Sequence, residues 1–516
     1  MKLKDYLLVT FFTLISFGLH GYYFNVFDHH HYLPYLNKIL NPSLYPYDYY
    51  FTQPHYLYTP FNYALVYINK FFNLNLAWTH FIVYFISLWL LYLAIYFLTL
   101  TIYRRQSIAS FAIALFILPK WATKIGYLTH HFYFVSRDLS LALSLLALSY
   151  LLLKKPKTSF IYLFLATLVN PLIPIPVAIL FITQFINTLN LKNKSFALIP
   201  INPQWLAILR NRAYSFPQLW AWTAWGNLTL FFSLLGISWL TLKAKLFGKH
   251  YELIKQFILI CLSLFIFHFL ISLALPLPFL IQLQLLRSLN YIFYFCLISF
   301  AAANYYLLFS SSTLIKITSL ISLTGVYLWS MHLTGWHFLA IWLLPLVILI
   351  KQPKINFKTK FNLIPFIILS LILHLSYNLI IIKPQINLPQ YFHYPNPLIA
   401  LPSSTDWLDI QTWAKNNTSV DTIFLTHPKL PGFRNFSERS IVCSDKDGGL
   451  VFYSETYAIR WQQCMTDLKN YSNFNTQEFQ NLSQKYKFNY IVVNNSHQSL
   501  NFDLAYQNLK YLVYKI

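Results

Sequence analysis

The sequence predicts an α-helical polytopic membrane protein with a small C-terminal α/β domain. Three observations lead there. The 516 residues are 57% hydrophobic and 19% aromatic but only 10% charged, a balance too apolar for a soluble chain of this length. Apolar stretches of roughly 20 residues, the length that crosses a bilayer, follow one another as far as residue 383. From Pro384 onward the pattern changes to short amphipathic helices and strands between polar turns.

About eleven spans are expected, at 6–24, 76–103, 107–119 with its flanks, 134–153, 159–187, 228–243, 257–277, 286–309, 314–331, 335–350 and 361–383. The first has a basic start and no small-residue cleavage site after it, so it reads as a retained anchor rather than a signal peptide. The fifth is broken at Asn170-Pro171 and Pro174, where proline removes a donor and crowds the preceding turn. The loop 25–75 follows the first span. Within it, Tyr32, Leu33, Leu36, Ile39 and Leu40 recur at helical spacing, which predicts an amphipathic helix over 28–40 lying in the membrane interface. Asn41-Pro42-Ser43 ends that helix, and Pro46 and Asp48 mark a turn.

Two domains follow: a membrane region over 1–383 that includes the loop 25–75, and an α/β domain over 384–516. Pro384, Pro389, Pro395, Pro397 and Pro402 form a linker between them. Ser404 or Thr405 then caps a helix through Trp407 and Trp413. Strands are expected at 422–425, 441–443, 490–493 and 511–514, with helices near 455–468 and 476–486.

The formal charge is +23, and it is unevenly spread. From Pro384 there are 11 Lys and Arg against 10 Asp and Glu, whereas the preceding region has 27 against 5. These cations punctuate apolar segments instead of forming a stripe on a polar domain, so nucleic acid is not an expected partner. With eleven spans, Lys2 and Lys4, Arg104 and Arg105, Lys154 to Lys157, Lys243 to Lys255, Lys316, and Lys351 to Lys360 fall on one side. The positive-inside rule makes that side cytoplasmic. The N-terminus is then inside and the tail outside. Cys261 and Cys296 read as packing residues, while Cys443 and Cys464 can pair if the tail is outside the cytoplasm.

Only Asp5, Asp28, Asp48, Asp138 and Glu252 are acidic before Pro384. Carboxylates beside hydrocarbon are costly, which makes each a functional suspect. The topology puts Asp28, Asp48 and Asp138 at the outer surface and leaves Asp5 and Glu252 inside. Asp28 opens the string Asp28-His29-His30-His31-Tyr32. It reads either as the N-cap of the following helix or as a general base accepting a hydroxyl proton, and the two roles can coexist. Three adjacent histidines point in different directions on a helix and cannot jointly chelate one ion. They are expected to be solvated at the interface; the alternative places one of them, such as His29, with Asp28 and Asp48 at a divalent cation.

Arg137 and Asp138 follow His130-His131 at the start of a span. They read as a structural ion pair, or as a second acid and a phosphate clamp. Arg210 and Arg212 lie in the Trp-dense stretch 205–225, which suits interfacial anchoring or contact with sugar and phosphate. Arg287, behind Gln282 and Gln284, can snorkel or reach a lipid phosphate. In the tail, the string from Gly432 to Ser440, which holds Arg439, and Asp445-Lys446-Asp447-Gly448-Gly449 are expected as surface loops, with an anionic substrate as the other use of their cations. No GxxxxGK[ST], GxSxG or HExxH string is present.

An acid straight after the first span, an interfacial helix in the first outer loop and an outer α/β tail together resemble the GT-C class of membrane glycosyltransferases. That class includes oligosaccharyltransferase catalytic subunits, protein O-mannosyltransferases and aminoarabinose transferases. The strings Asp28-His29-His30-His31-Tyr32-Leu33-Pro34-Tyr35, Asn41-Pro42-Ser43-Leu44-Tyr45-Pro46 and Gln284-Leu285-Leu286-Arg287, with Trp413, Arg439 and Lys446, look closer to uncharacterised bacterial membrane proteins of that type. The resemblance implies a GT-C-like fold and transfer of a sugar from a polyprenyl-phosphate-linked donor to a glycan, lipid or protein acceptor. It implies Asp28 as base and Asp138 as the acid of the second outer loop. His29 stands where the class often has a second acid, and the WWDYG string of oligosaccharyltransferases is absent, so transfer to asparagine and a metal requirement are not expected to carry over. The alternative function is a transporter or a lipid or oligosaccharide flippase of the cell envelope, since broken helices also occur in transporters.

Overall fold

Helix Leu289–Leu307 carries no charged residue and is buried at every position but Asn290. A helix that is apolar all round is stable only when surrounded, and this one packs against Trp222–Leu242, Gln106–Leu115 and Tyr251–Ala274. The structure is a computed structural model that describes residues 1–52, 59–120, 128–185, 201–274, 276–329, 336–351 and 405–516. The span expected at 361–383, the proline linker, Ser404 as a cap, and Lys354, Lys358 and Lys360 lie outside the described residues.

The chain divides into two compact units: residues 1–22, 83–199 and 213–394 form the first, and 23–82, 200–212 and 395–516 the second. The segment after the first helix is therefore grouped with the tail.

Among the described residues, five helices are long and apolar enough to cross a membrane: Leu3–His20, Leu76–Tyr103, Trp222–Leu242, Gly248–Ala274 and Pro278–Leu307. Several leave large apolar side chains outward, such as Leu7, Phe11, Leu259 and Leu270. Exposed apolar faces of this extent call for a hydrocarbon surrounding. Other expected spans form shorter apolar helices, among them Gln106–Leu115 and Pro156–Val169. The break expected at Asn170-Pro171 falls between Pro156–Val169, whose C-cap Asn170 is extended, and Ile175–Phe185.

Asp5, an acid in the first helix, is buried in unit 1. It accepts from Tyr96 Oη and Gln106 Nε2, both at 2.9 Å, and from the Lys2 backbone N–H at 2.7 Å. That satisfied setting explains how a carboxylate persists in an apolar helix.

Unit 2 is built on a five-stranded mixed sheet with order β2-β1-β3-β5-β4. The strands are β1 Ile423–Thr426, β2 Ser440–Ile441, β3 Tyr490–Asn494, β4 Asp503–Gln507 and β5 Tyr511–Lys515. β1 runs parallel to β2 and β3, while β5 is antiparallel to β3 and β4. Alternate side chains go to opposite faces. Leu425, Ile491, Val493 and Tyr514 pack with Cys443, Cys464, Leu468 and Phe479 on one side. Phe424, Val492 and Val513 pack with Trp407, Ile410 and Phe433 on the other. The sequence expected four strands and missed β4, which is mostly exposed and so lacks a buried stripe to reveal it. Helices Thr405–Asn417, Glu455–Asp467 and Thr476–Tyr486 fall where the pattern placed them; Pro60–Phe71, Pro203–Arg210 and Phe433–Ser437 were not expected. Cys443 and Cys464 form a disulfide, and Cys261 and Cys296 are free and buried.

Candidate functional site

The turn before Asp28 is strained. Asn25 and Phe27 both take left-handed backbone angles, with φ 58° and 45°, a region costly for a side chain such as Phe. The histidine run holds that turn in place. Nδ1 of His29 accepts from the Asn25 backbone N–H at 3.0 Å, which puts the His29 proton on Nε2. Nε2 of His30 lies 2.9 Å from the Asn25 carbonyl and donates to it. His31 Nδ1 lies 2.9 Å from the Tyr50 hydroxyl. His29 and His31 are buried, and His29 meets Phe24 and His80 edge-on or tilted. The expectation of solvated interfacial histidines is thereby overturned: hydrogen bonding to the turn holds them in, where solvation alone would leave them out. His29 faces aromatic rings, not an open cleft.

Helix His29–Leu40 begins directly after Asp28. Asp28 occupies the N-cap position, yet its side chain makes no capping hydrogen bond. Its Oδ1 lies 3.3 Å from Lys446 Nζ, and the carboxylate stays 21% exposed. Burial pulls the His30 imidazole down to about 4 and that of His31 to about 3; the Lys446 charge adds to both shifts, while Asp28 opposes them. Both rings are neutral at pH 7, so neither adds a positive charge beside the Asp28–Lys446 pair.

Lys446 stands on the short turn Asp445–Gly449, which Ser444 and Asp447 close with a reciprocal capping box. The turn lies very close to its neighbours. A Cβ on Gly449 would come within 2.7 Å of His31 Nε2, and one on Gly448 within 2.6 Å of the Trp461 ring and closer still to the Arg212 guanidinium. Neither glycine has a positive φ, so they serve close approach rather than the tight turning expected of them. Gly432 does have a positive φ, 81°, and sits against the His30 ring. Arg212 donates to the Asp445 carbonyl at 2.8 Å and lies over Trp461.

Beneath this turn is a buried triad that the sequence did not reveal. Arg434 Nε and Nη2 donate to Asp48 Oδ2 and Oδ1 at 2.6 and 3.0 Å, and Nη1 and Nη2 donate to Asp447 Oδ1 and Oδ2 at 2.7 and 3.0 Å. Asp48 also accepts the backbone N–H groups of Tyr50 and Ile441. These four bonds use the acceptor positions of one carboxylate, and the side chain is fully buried. Asp48 is thus a structural anchor here, not an accessible acid. The string around Arg434 is likewise interior, where a surface loop was expected: Phe433, Arg434 and Asp447 are all buried. Arg439 donates to the Lys415 and Thr418 carbonyls at 2.7 and 2.6 Å. It closes the C-terminal end of helix Thr405–Asn417. Arg210 is exposed at the end of Pro203–Arg210.

Unit 1 carries the other nominated group. His131 Nδ1 lies 2.9 Å from Asp138 Oδ2, and the His131 backbone N–H donates to the same oxygen at 2.9 Å. Arg137 Nη2 is 3.1 Å from His131 Nε2. A guanidinium only donates, so His131 carries its proton on Nδ1 and gives it to Asp138. Asp138 orients His131, and His131 orients Arg137. Arg137 and Asp138 line a narrow cleft with Thr129, Asn290 and Tyr294. Arg287 lies in the turn Leu285–Ser288, ahead of Asn290, and is not part of that lining. Among the described residues, no three His, Cys, Asp or Glu side chains cluster as a metal site.

Residues 405–468 match a family model described as a domain of unknown function, DUF6798. The match covers Arg434, Arg439, Lys446, Asp447 and both disulfide cysteines. No curated protein matches the sequence. Among solved structures, the archaeal oligosaccharyltransferase AglB from Archaeoglobus fulgidus, in complex with an inhibitory peptide and a dolichol-phosphate, is similar to this chain with a TM-score of 0.38 and 13% identity, over 95% of this chain and 69% of the archaeal one.

Proposed function

We propose that this protein is a membrane glycosyltransferase of the GT-C kind, moving a sugar from a polyprenyl-phosphate-linked donor to a hydroxyl acceptor on the extracytoplasmic face, with Asp28 as general base. The observation that carries the reading is the state of Asp28. It sits where a helix cap is expected, makes no capping bond, keeps part of its surface exposed and faces Lys446. In the reaction the acceptor O–H gives its proton to Asp28 while the oxygen bonds the anomeric carbon. The bond from that carbon to the phosphate oxygen breaks, and the phosphate leaves as an anion. Lys446 stands 3.3 Å from the carboxylate as an ion-pair partner.

The Cys443–Cys464 disulfide supports an extracytoplasmic tail, because disulfides persist in oxidising compartments. The test is transfer of a labelled sugar in membranes carrying Asp28→Asn. General-base catalysis is worth about 10²–10⁴-fold, so the variant loses at least about a hundredfold in rate while inserting and unfolding like the wild type. Wild-type rates in Asp28→Asn end the reading.

A further inference from the structure

A helix packed on a water-soluble core turns its polar side chains outward. Helix Pro60–Phe71 of unit 2 does not. Its inward positions are Asn62, Leu65, Val66 and Asn69. Its outward positions include Tyr63, Tyr67, Ile68 and Phe71, with Tyr67 73% and Phe71 82% exposed, and Phe72 continues the row at 63%. Positions i, i+4, i+5 and i+8 lie along one side of a helix. Lys70 is the single charge among its 12 residues. A row of large apolar side chains left this open marks a contact surface.

The sequence places the interfacial helix elsewhere, at 28–40. Helix His29–Leu40 instead turns Leu33, Tyr35 and Leu36 inward and packs against Pro60–Phe71. What covers the open row of Pro60–Phe71 follows from what that helix is tied to. Asn69 Nδ2 donates to the Leu74 carbonyl and, at 3.3 Å, to Thr79 Oγ1. Thr79 lies in the first turn of Leu76–Tyr103, one of the membrane-length helices. Asn73, at φ 50°, reverses the chain between the two helices, and Asn75 Oδ1 accepts the Trp78 N–H at 2.9 Å. The aromatic helix is therefore hydrogen-bonded to the end of a span. Even a fully extended link from Phe71 to Leu76 would keep it within about 17 Å of that end. Trp78 and Ile82, one turn apart at the start of the span, are exposed as well. Tyrosine and tryptophan are the side chains enriched where a span meets the lipid headgroups.

We infer that helix Pro60–Phe71 lies flat on the bilayer, with Tyr63, Tyr67 and Phe71 sunk at the boundary between lipid headgroups and acyl chains and Lys70 beside a lipid phosphate. An interfacial helix buries its apolar face about 5–10 Å into that boundary. The inference does not depend on the transferase reading.

The experiment is spin labelling of the full-length protein in vesicles of phosphatidylethanolamine and phosphatidylglycerol. Cys261→Ala and Cys296→Ala remove the free thiols, and one label is placed at Tyr67→Cys or at Phe71→Cys. Leu509→Cys, in the turn between β4 and β5 and 83% exposed, is the reference in water. Oxygen concentrates in lipid and a nickel chelate in water, so their collision rates with the label report its surroundings. Labels at 67 and 71 meet oxygen more often than the nickel chelate, and the label at 509 does the reverse. A nickel preference at both 67 and 71 leaves the row in water and overturns the inference. Shielding from both reagents means that protein covers the row, and spin–spin broadening lost on dilution with unlabelled protein identifies that cover as a second copy; either result overturns it too. The two positions are labelled separately, so a folding defect in one leaves the other to decide.

Discussion

A carboxylate offers about four acceptor positions, and exposure separates Asp28, at 21%, from Asp48, whose buried carboxylate has all four taken. Asp48 has all four filled by Arg434, Tyr50 and Ile441, so a substrate proton has nowhere to go on it. Asp28 faces Lys446 at the edge of a left-handed turn and keeps access to solvent. Arg434→Gln strands Asp48 and Asp447 as two buried anions without their cation. Removing one partner of a buried pair costs about 3–5 kcal/mol, which thermal unfolding in detergent will show as a large drop in the transition of unit 2. Arg210→Gln, at an exposed position, leaves it within about 0.5 kcal/mol. An equal, small effect of both substitutions would remove the triad as the anchor of the 445–449 turn.

At the scale of elements, the turn 25–28 is held by neutral histidines. An imidazole whose folded-state pKa is depressed gives stability that is fully present above the unfolded value of about 6.5. That contribution is lost as pH falls toward about 4 for His30 and about 3 for His31. Unit 2 should therefore lose stability on acidification from pH 7 to pH 5, followed by near-ultraviolet circular dichroism on heating. A gain over that interval contradicts the buried neutral state. The disulfide acts on a second element: it ties the end of β2 to helix Glu455–Asp467 across 21 residues. Closing a loop of that size limits the unfolded chain by about 3 kcal/mol. The paired Cys443→Ser and Cys464→Ser variant should lose about that much, while Cys296→Ser, outside any disulfide, tests a packing effect instead.

For the molecule as a whole, the basic loops set an orientation that labelling can read. Under the positive-inside rule, Lys243→Cys is modified by an impermeant thiol reagent only from the cytosol and Val420→Cys only from outside. Reagent reaching position 420 from the cytosol would place the tail, and Lys446 with it, on the wrong side for the proposed chemistry. Transport is separated from transfer at the same scale. Vesicles that exchange labelled substrate without making a glycosidic bond would favour the flippase alternative.

Apolar periodicity lies in local order along the chain, and that order alone determined the membrane character, the broken helix at Asn170, helix His29–Leu40 and most of the α/β tail. It also marked Asp28 and Asp138, because an acid in an apolar region stands out whatever its partners. Tertiary structure decided what those acids do. Two of the three partners of Asp48, Arg434 and Ile441, lie 386 and 393 residues away, and nothing in the strings around Arg434 or Gly448 signals such contacts. Hydrogen-bond saturation, burial of the histidines and the need for glycine against His31 and Trp461 are properties of segments brought together in space, and no short-range spacing encodes them.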